Sequence, residues 1–87
     1  MLYRIRTQRK RMHRVRKICN RLFNGYTIIK TDGVWKGAGE RSVVIEVQTD
    51  GLPYAALRVQ TAAEEIRELN GQECVLVQSF PVHGVFV

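Results

Sequence analysis

The stretch YTIIKTDGVWKGAGERSVVIEVQ, residues 26–48, decides the fold. Tyr26 to Trp35 is dense in β-branched and aromatic side chains, whose shapes suit a pleated, half-buried surface, and it reads as a strand. Asp32-Gly33 is expected to bend or bulge it. Lys36-Gly37-Ala38-Gly39 is the turn, because small residues there tolerate the backbone angles a reversal needs. Glu40 to Gln48, with the run Val43-Val44-Ile45-Glu46-Val47, is the returning strand, so the pair forms a hairpin. A hairpin alone is marginal in water and needs further elements to cover its apolar face.

The flanking sequence supplies them on both sides. Between Gln8 and Phe23, the residues Met12, Val15, Ile18, Cys19, Leu22 and Phe23 fall within an arc of about 140° at 100° per residue, as an amphipathic helix requires. Lys10, Arg14, Lys17 and Arg21 fall on the opposite side. Thr7 is the expected N-cap and Asn24-Gly25 the expected stop. Ahead of the helix, Met1, Tyr3 and Ile5 alternate with Leu2, Arg4 and Arg6, which is a short strand with Ile5 on its core side. After the hairpin, Thr49 to Arg58 carries Asp50-Gly51 and Pro53 and reads as a loop. Thr61-Ala62-Ala63-Glu64 matches a capping box, so the second helix is expected to start there and to run to Leu69, before Asn70-Gly71. Glu73 to Phe80 is a strand that Pro81 ends, and Val85-Phe86-Val87 is expected to add a short edge strand. The order strand, helix, strand, strand, helix, strand predicts an α+β, ferredoxin-like βαββαβ domain spanning 1–87. Its four-stranded antiparallel sheet would carry both helices on one face, covered by Met12, Val15, Cys19, Leu22, Ile66 and Leu69.

Charge divides the chain in two. Its 87 residues hold 14 basic and 8 acidic side chains, a formal net charge of +6. Residues 1–21 carry nine of the basic groups and no acid, whereas the remainder carries five basic and eight acidic groups. An unopposed cationic surface attracts polyanions through long-range Coulomb forces. Arg9, Lys10, Arg11, Arg14, Arg16, Lys17 and Arg21 are therefore the candidate nucleic-acid contacts. No apolar run is long enough to span a bilayer, and no apolar segment behind the basic start marks a secretory signal.

No catalytic or cofactor constellation is complete. Cys19 and Cys74 both read as small core residues, Cys74 alternating with Leu76, and two cysteines cannot build a structural zinc site. His13 falls beside Arg9 and Arg16, away from the apolar arc, and neither it nor His83 has metal-ligand spacing. Lys36 to Gly39 joins two strands, whereas a phosphate-cradling loop opens a helix. Cys19, His13 and Glu46 are the only candidates for chemistry, and the reading is of a protein that is not an enzyme and takes no cofactor or metal. The sheet lacks the aromatic pairs on which RNA-recognition domains stack bases. The strand-then-basic-helix layout also resembles the ferredoxin-like nucleases of CRISPR adaptation, but Thr7 and Gln8 stand where those carry a metal-binding aspartate. On the sheet face away from the helices we expect Arg4, Arg6, Val44, Glu46, Val75 and Val77. Glu46 would sit opposite Arg4 or Arg6 as a cross-strand ion pair, and the valines would form an apolar patch suited to a homodimer. Trp35 at the hairpin is a further interaction residue.

A wider pattern links Phe23-Asn-Gly-Tyr-Thr-Ile-Ile-Lys30, Gly33-Val-Trp-Lys-Gly37, Glu40-Arg-Ser-Val-Val-Ile-Glu46, Leu69-Asn-Gly-Gln-Glu-Cys-Val-Leu-Val77 and Phe86-Val87. It resembles small proteins of phages and other mobile elements. The resemblance implies context: a phage or plasmid accessory protein in the cytoplasm of a bacterial host, of the kind that acts on host defence. Two functions follow as expectations. One is a non-catalytic protein whose basic helix binds nucleic acid or a nucleoprotein; the other is an inhibitor that binds a host enzyme or another acidic protein.

Overall fold

Ile5 and Ile45 lie opposite each other on the two middle strands of a sheet, and both are completely buried. The computed structural model describes residues 1–49, 54–85 and 87, with Trp35 described in its backbone alone. In chain order the elements are β1 (Leu2–Gln8), α1 (Met12–Leu22), β2 (Thr27–Trp35), β3 (Ala38–Gln48), α2 (Ala55–Asn70) and β4 (Leu76–Phe80). The four strands form one sheet in the order β2-β3-β1-β4, with every neighbouring pair antiparallel. This α+β arrangement is compatible with a ferredoxin-like fold.

The core occupies one side of the sheet. Ile5, Ile45 and Val47 meet Val15 and Cys19 from α1, and Val59, Ala62, Ala63 and Ile66 from α2. Met12, Leu22 and Leu69 pack around its edge, as their spacing predicted. Each large aliphatic side chain buried there contributes roughly 1.5–3 kcal/mol relative to exposure, so this one-sided core holds both helices to the same face.

Both helix starts differ from the sequence expectation. Thr7 caps nothing: it belongs to β1, is buried, and its hydroxyl donates to the Gln72 side-chain carbonyl. β1 runs through the cap signal because β3 offers backbone partners as far as Ser42, and the Arg9 N–H continues the pairing to the Arg41 carbonyl at 3.1 Å. α1 therefore begins four residues later than Gln8, after Arg11, which takes a left-handed φ of 52° and has no side-chain cap. α2 likewise begins at Ala55, six residues before Thr61. The intervening Ala-Ala-Leu-Arg-Val-Gln favours helix, and the Thr61 hydroxyl donates back to the Leu57 carbonyl at 2.9 Å within it. The expected loop at Asp50-Gly51 and Pro53 lies outside the described residues.

The ends divide similarly. α2 stops at Gly71 as predicted: its φ of 61° suits a residue without a side chain, and Gly71 and Gln72 N–H groups close onto Glu68 and Arg67 carbonyls. α1 instead ends through an extended Phe23 whose N–H reaches the Cys19 carbonyl, and Gly25 has no left-handed φ. β2 and β3 pair without a bulge at Asp32-Gly33, right up to Trp35 opposite Ala38. Lys36 and Gly37, both at positive φ, form a two-residue turn, whose twist matches that of the strands it joins. β4 starts at Leu76 and not at Glu73, and Cys74, ahead of it, is exposed and not a core residue. Residues 82–85 and Val87 form no strand, and Phe86 lies outside the described residues.

Candidate nucleic-acid interface

Packing of Val15 and Cys19 against the sheet fixes the orientation of α1 and turns its other side to solvent. Arg14, Lys17 and Arg21 succeed each other at helical spacings of three and four, so they line one exposed row; Arg16 is exposed beside it. Lys10 and Arg11 extend the row past the helix start, and both are exposed. Tyr26, just before β2, braces this helix: its hydroxyl donates to Asn20 Oδ1 at 2.6 Å, and burial pushes its phenol pKa up.

Two of the seven predicted contacts have carboxylate partners. Arg21 pairs with Glu65 on α2, and Arg9 Nη2 lies 3.8 Å from Asp32 Oδ1 on β2. Among the described residues no carboxylate pairs with Lys10, Arg11, Arg14, Arg16 or Lys17. Their placement works against the helix itself. The first turn of α1 contains no acid, so Arg11 and Arg14 sit at the positive end of the helix dipole. Like charges three and four residues apart cost a further few tenths of a kcal/mol per pair.

The opposite sheet face has a different composition from the expected one. Arg4, Arg6, Val44 and Glu46 are on it, with Ile29, Thr31 and Gln78. Arg4 Nε lies 2.8 Å from Glu46 Oε1, the predicted cross-strand pair, and its guanidinium stands 5.2 Å from the Phe80 ring centroid. Val75 and Val77 are not on this face. Val77 pairs with Ile5 and so shares its side, next to Tyr3, Ala56, Val59 and Gln60, while Val75 packs against the core. Val44 is only 6% exposed, so the predicted valine patch is absent as such. Leu76 and Phe80 take those positions on β4, opposite Arg6 and Leu2. Alternation alone could not choose between the two sets, because Val75, Leu76 and Val77 are equally apolar. The Trp35 side chain lies outside the described residues.

The three candidates for chemistry lie apart: Cys19 is on the buried side of α1, whereas Glu46 is on the opposite face of the sheet. Cys19 is buried, and desolvation pushes its thiol pKa up to about 11, so the protonated form predominates at neutral pH. His13 and His83 are exposed. Among the described residues no three His, Cys, Asp or Glu side chains come together to hold a metal, and no helix is long and apolar enough to cross a membrane.

These features define a small α+β protein with an acid-free cationic helix on its surface. No family model and no curated protein matches the chain. Among solved structures it is similar to the de novo designed protein Foldit4, with a TM-score of 0.54, 21% identity and 94% of each chain covered. That likeness concerns the fold alone.

Proposed function

We propose that this chain is a ferredoxin-like βαββαβ protein of a phage or other mobile element that binds nucleic acid, or a nucleoprotein, without catalysing a reaction. The observation that carries this reading is the exposed set Lys10, Arg11, Arg14, Arg16 and Lys17, left without carboxylate partners among the described residues. Electrostatics within the fold disfavours that set, whereas phosphates would neutralise it. Such contacts fix position on the backbone and read no sequence.

The test is binding of a labelled nucleic acid by the wild type and by a variant with Lys10, Arg14 and Lys17 changed to Glu. Five phosphate contacts predict a log–log salt slope of about −4 to −5, and an affinity loss of some hundreds of times between roughly 50 and 200 mM salt. The variant should melt as a folded protein and bind nothing. Unchanged binding by the variant rejects the reading. Capture of a host protein that survives nuclease digestion and depends on the same three residues would favour the second reading, inhibition of an acidic host protein.

A further inference from the structure

β2 and β3 outrun the rest of the sheet. β1 pairs with β3 only from Ser42 to Gln48, while the β2–β3 ladder continues through Asp32–Arg41, Gly33–Glu40, Val34–Gly39 and Trp35–Ala38. Beyond Arg41 the hairpin continues as a two-stranded arm with no β1 pairing beside it, in a molecule 41 Å long and 23 by 19 Å across. Three paired steps and the turn give the arm a reach of about 13 Å at 3.3–3.4 Å per residue. The arm has little or no side chain at Gly33, Gly37, Ala38 and Gly39, half of residues 33–40. It is also preorganised by the two-residue turn at Lys36-Gly37. Val34 near its tip is 76% exposed, although it belongs to a strand.

The foot of the arm meets the segment that leads into the cationic helix. Arg9 makes both contacts there, with its N–H on the Arg41 carbonyl and its guanidinium towards Asp32. Lys10 and Arg11 follow directly, and Arg41 is exposed with no carboxylate partner among the described residues. Four basic residues therefore gather where the arm leaves the body. The acid on the arm, Glu40, pairs with Gly33 on the face away from the helices.

We infer that the arm inserts into the major groove of duplex DNA while the cations at its foot and along α1 hold the flanking phosphates. The inference rests on the nucleic-acid reading of α1 and adds the form of the ligand. The major groove of B-form DNA is about 12 Å wide and 8.5 Å deep and admits a two-stranded ribbon. An arm of about 13 Å reaches its floor with cations still at the level of the backbone. The major groove of A-form RNA is too narrow for it.

The experiment compares the wild type on duplex DNA, duplex RNA and single strands with a variant lacking Val34, Trp35, Ala38 and Gly39. That deletion keeps Gly33 opposite Glu40 and the Lys36-Gly37 turn between them. The wild type should prefer duplex DNA, and the shortened variant should lose about tenfold or more in affinity while keeping the salt slope. Methylation of guanine N7, which lies in the major groove, should interfere with wild-type binding; this readout stands even if the shortened chain misfolds. Indifference to N7 methylation, or preference for RNA or single strands, overturns the arm's role and leaves the α1 reading intact. Failure of the wild type to bind any nucleic acid overturns both.

Discussion

Arg11 holds a left-handed backbone at the start of α1, a conformation that costs residues with a Cβ about 1–2 kcal/mol and that asparagine tolerates better. It also places a cation at the positive end of the helix. Arg11→Asn should therefore stabilise the protein by about 0.5–1 kcal/mol, read from the urea midpoint, and reduce the salt slope of nucleic-acid binding by about one. An unchanged midpoint would mean that the Arg11 side chain compensates its backbone. The cysteines separate in the same way. Cys19→Ala removes a completely buried side chain and should cost about 1 kcal/mol, whereas Cys74→Ser, at an exposed site, should stay within about 0.5 kcal/mol of wild type. Because burial raises the Cys19 pKa to about 11, its protonated thiol supports the fold fully below the unfolded pKa. That support fades as pH rises through about 9 to 11, where the unfolded chain loses its proton first. Wild-type stability should consequently fall more steeply than that of Cys19→Ala across this window, measured by urea titration at each pH.

The glycines ending the two helices test the element boundaries. Gly71→Ala forces a Cβ into a left-handed C-terminal cap and should cost about 1 kcal/mol. Gly25→Ala meets open space at an ordinary φ and should be neutral or slightly stabilising; thermal melts of the two variants check the contrast. In sequence, Asn24-Gly25 and Asn70-Gly71 are the same signal, and only the second acts as one. The order of six elements was legible because alternation in β1, the apolar arc of α1 and the Val43–Val47 run are each local. So was the exposure of the basic row, which follows once Val15 and Cys19 face the core. Helix starts were not legible, because Thr7 is claimed by pairing with β3 and Thr61 by the helical run before it. Nor was the facing of β4, which depends on its register against β1 and not on its own apolar residues. The arm followed the same logic: Asp32-Gly33 looks like an interruption, and only the continuous ladder to Ala38 shows a projecting ribbon.

A net charge of +6 would draw the protein to any polyanion, whichever surface met it. The fold separates that general attraction from a located interface, because it places cations on opposite sides. Lys17 belongs to the exposed row of α1, whereas Arg6 points from β1 to the sheet face away from both helices, where it is exposed and has no carboxylate partner among the described residues. Lys17→Glu and Arg6→Glu change net charge equally, and neither removes a buried contact. If phosphates bind along α1, Lys17→Glu should lower affinity several-fold more than Arg6→Glu. The gap should narrow with added salt as the Debye length falls from about 10 Å at 0.1 M towards 3 Å at 1 M. Binding measured by anisotropy over that salt range, with melts to confirm both folds, separates the two cases. Equal losses would mean that the protein responds to total charge, and that neither α1 nor the arm at its foot is a defined site.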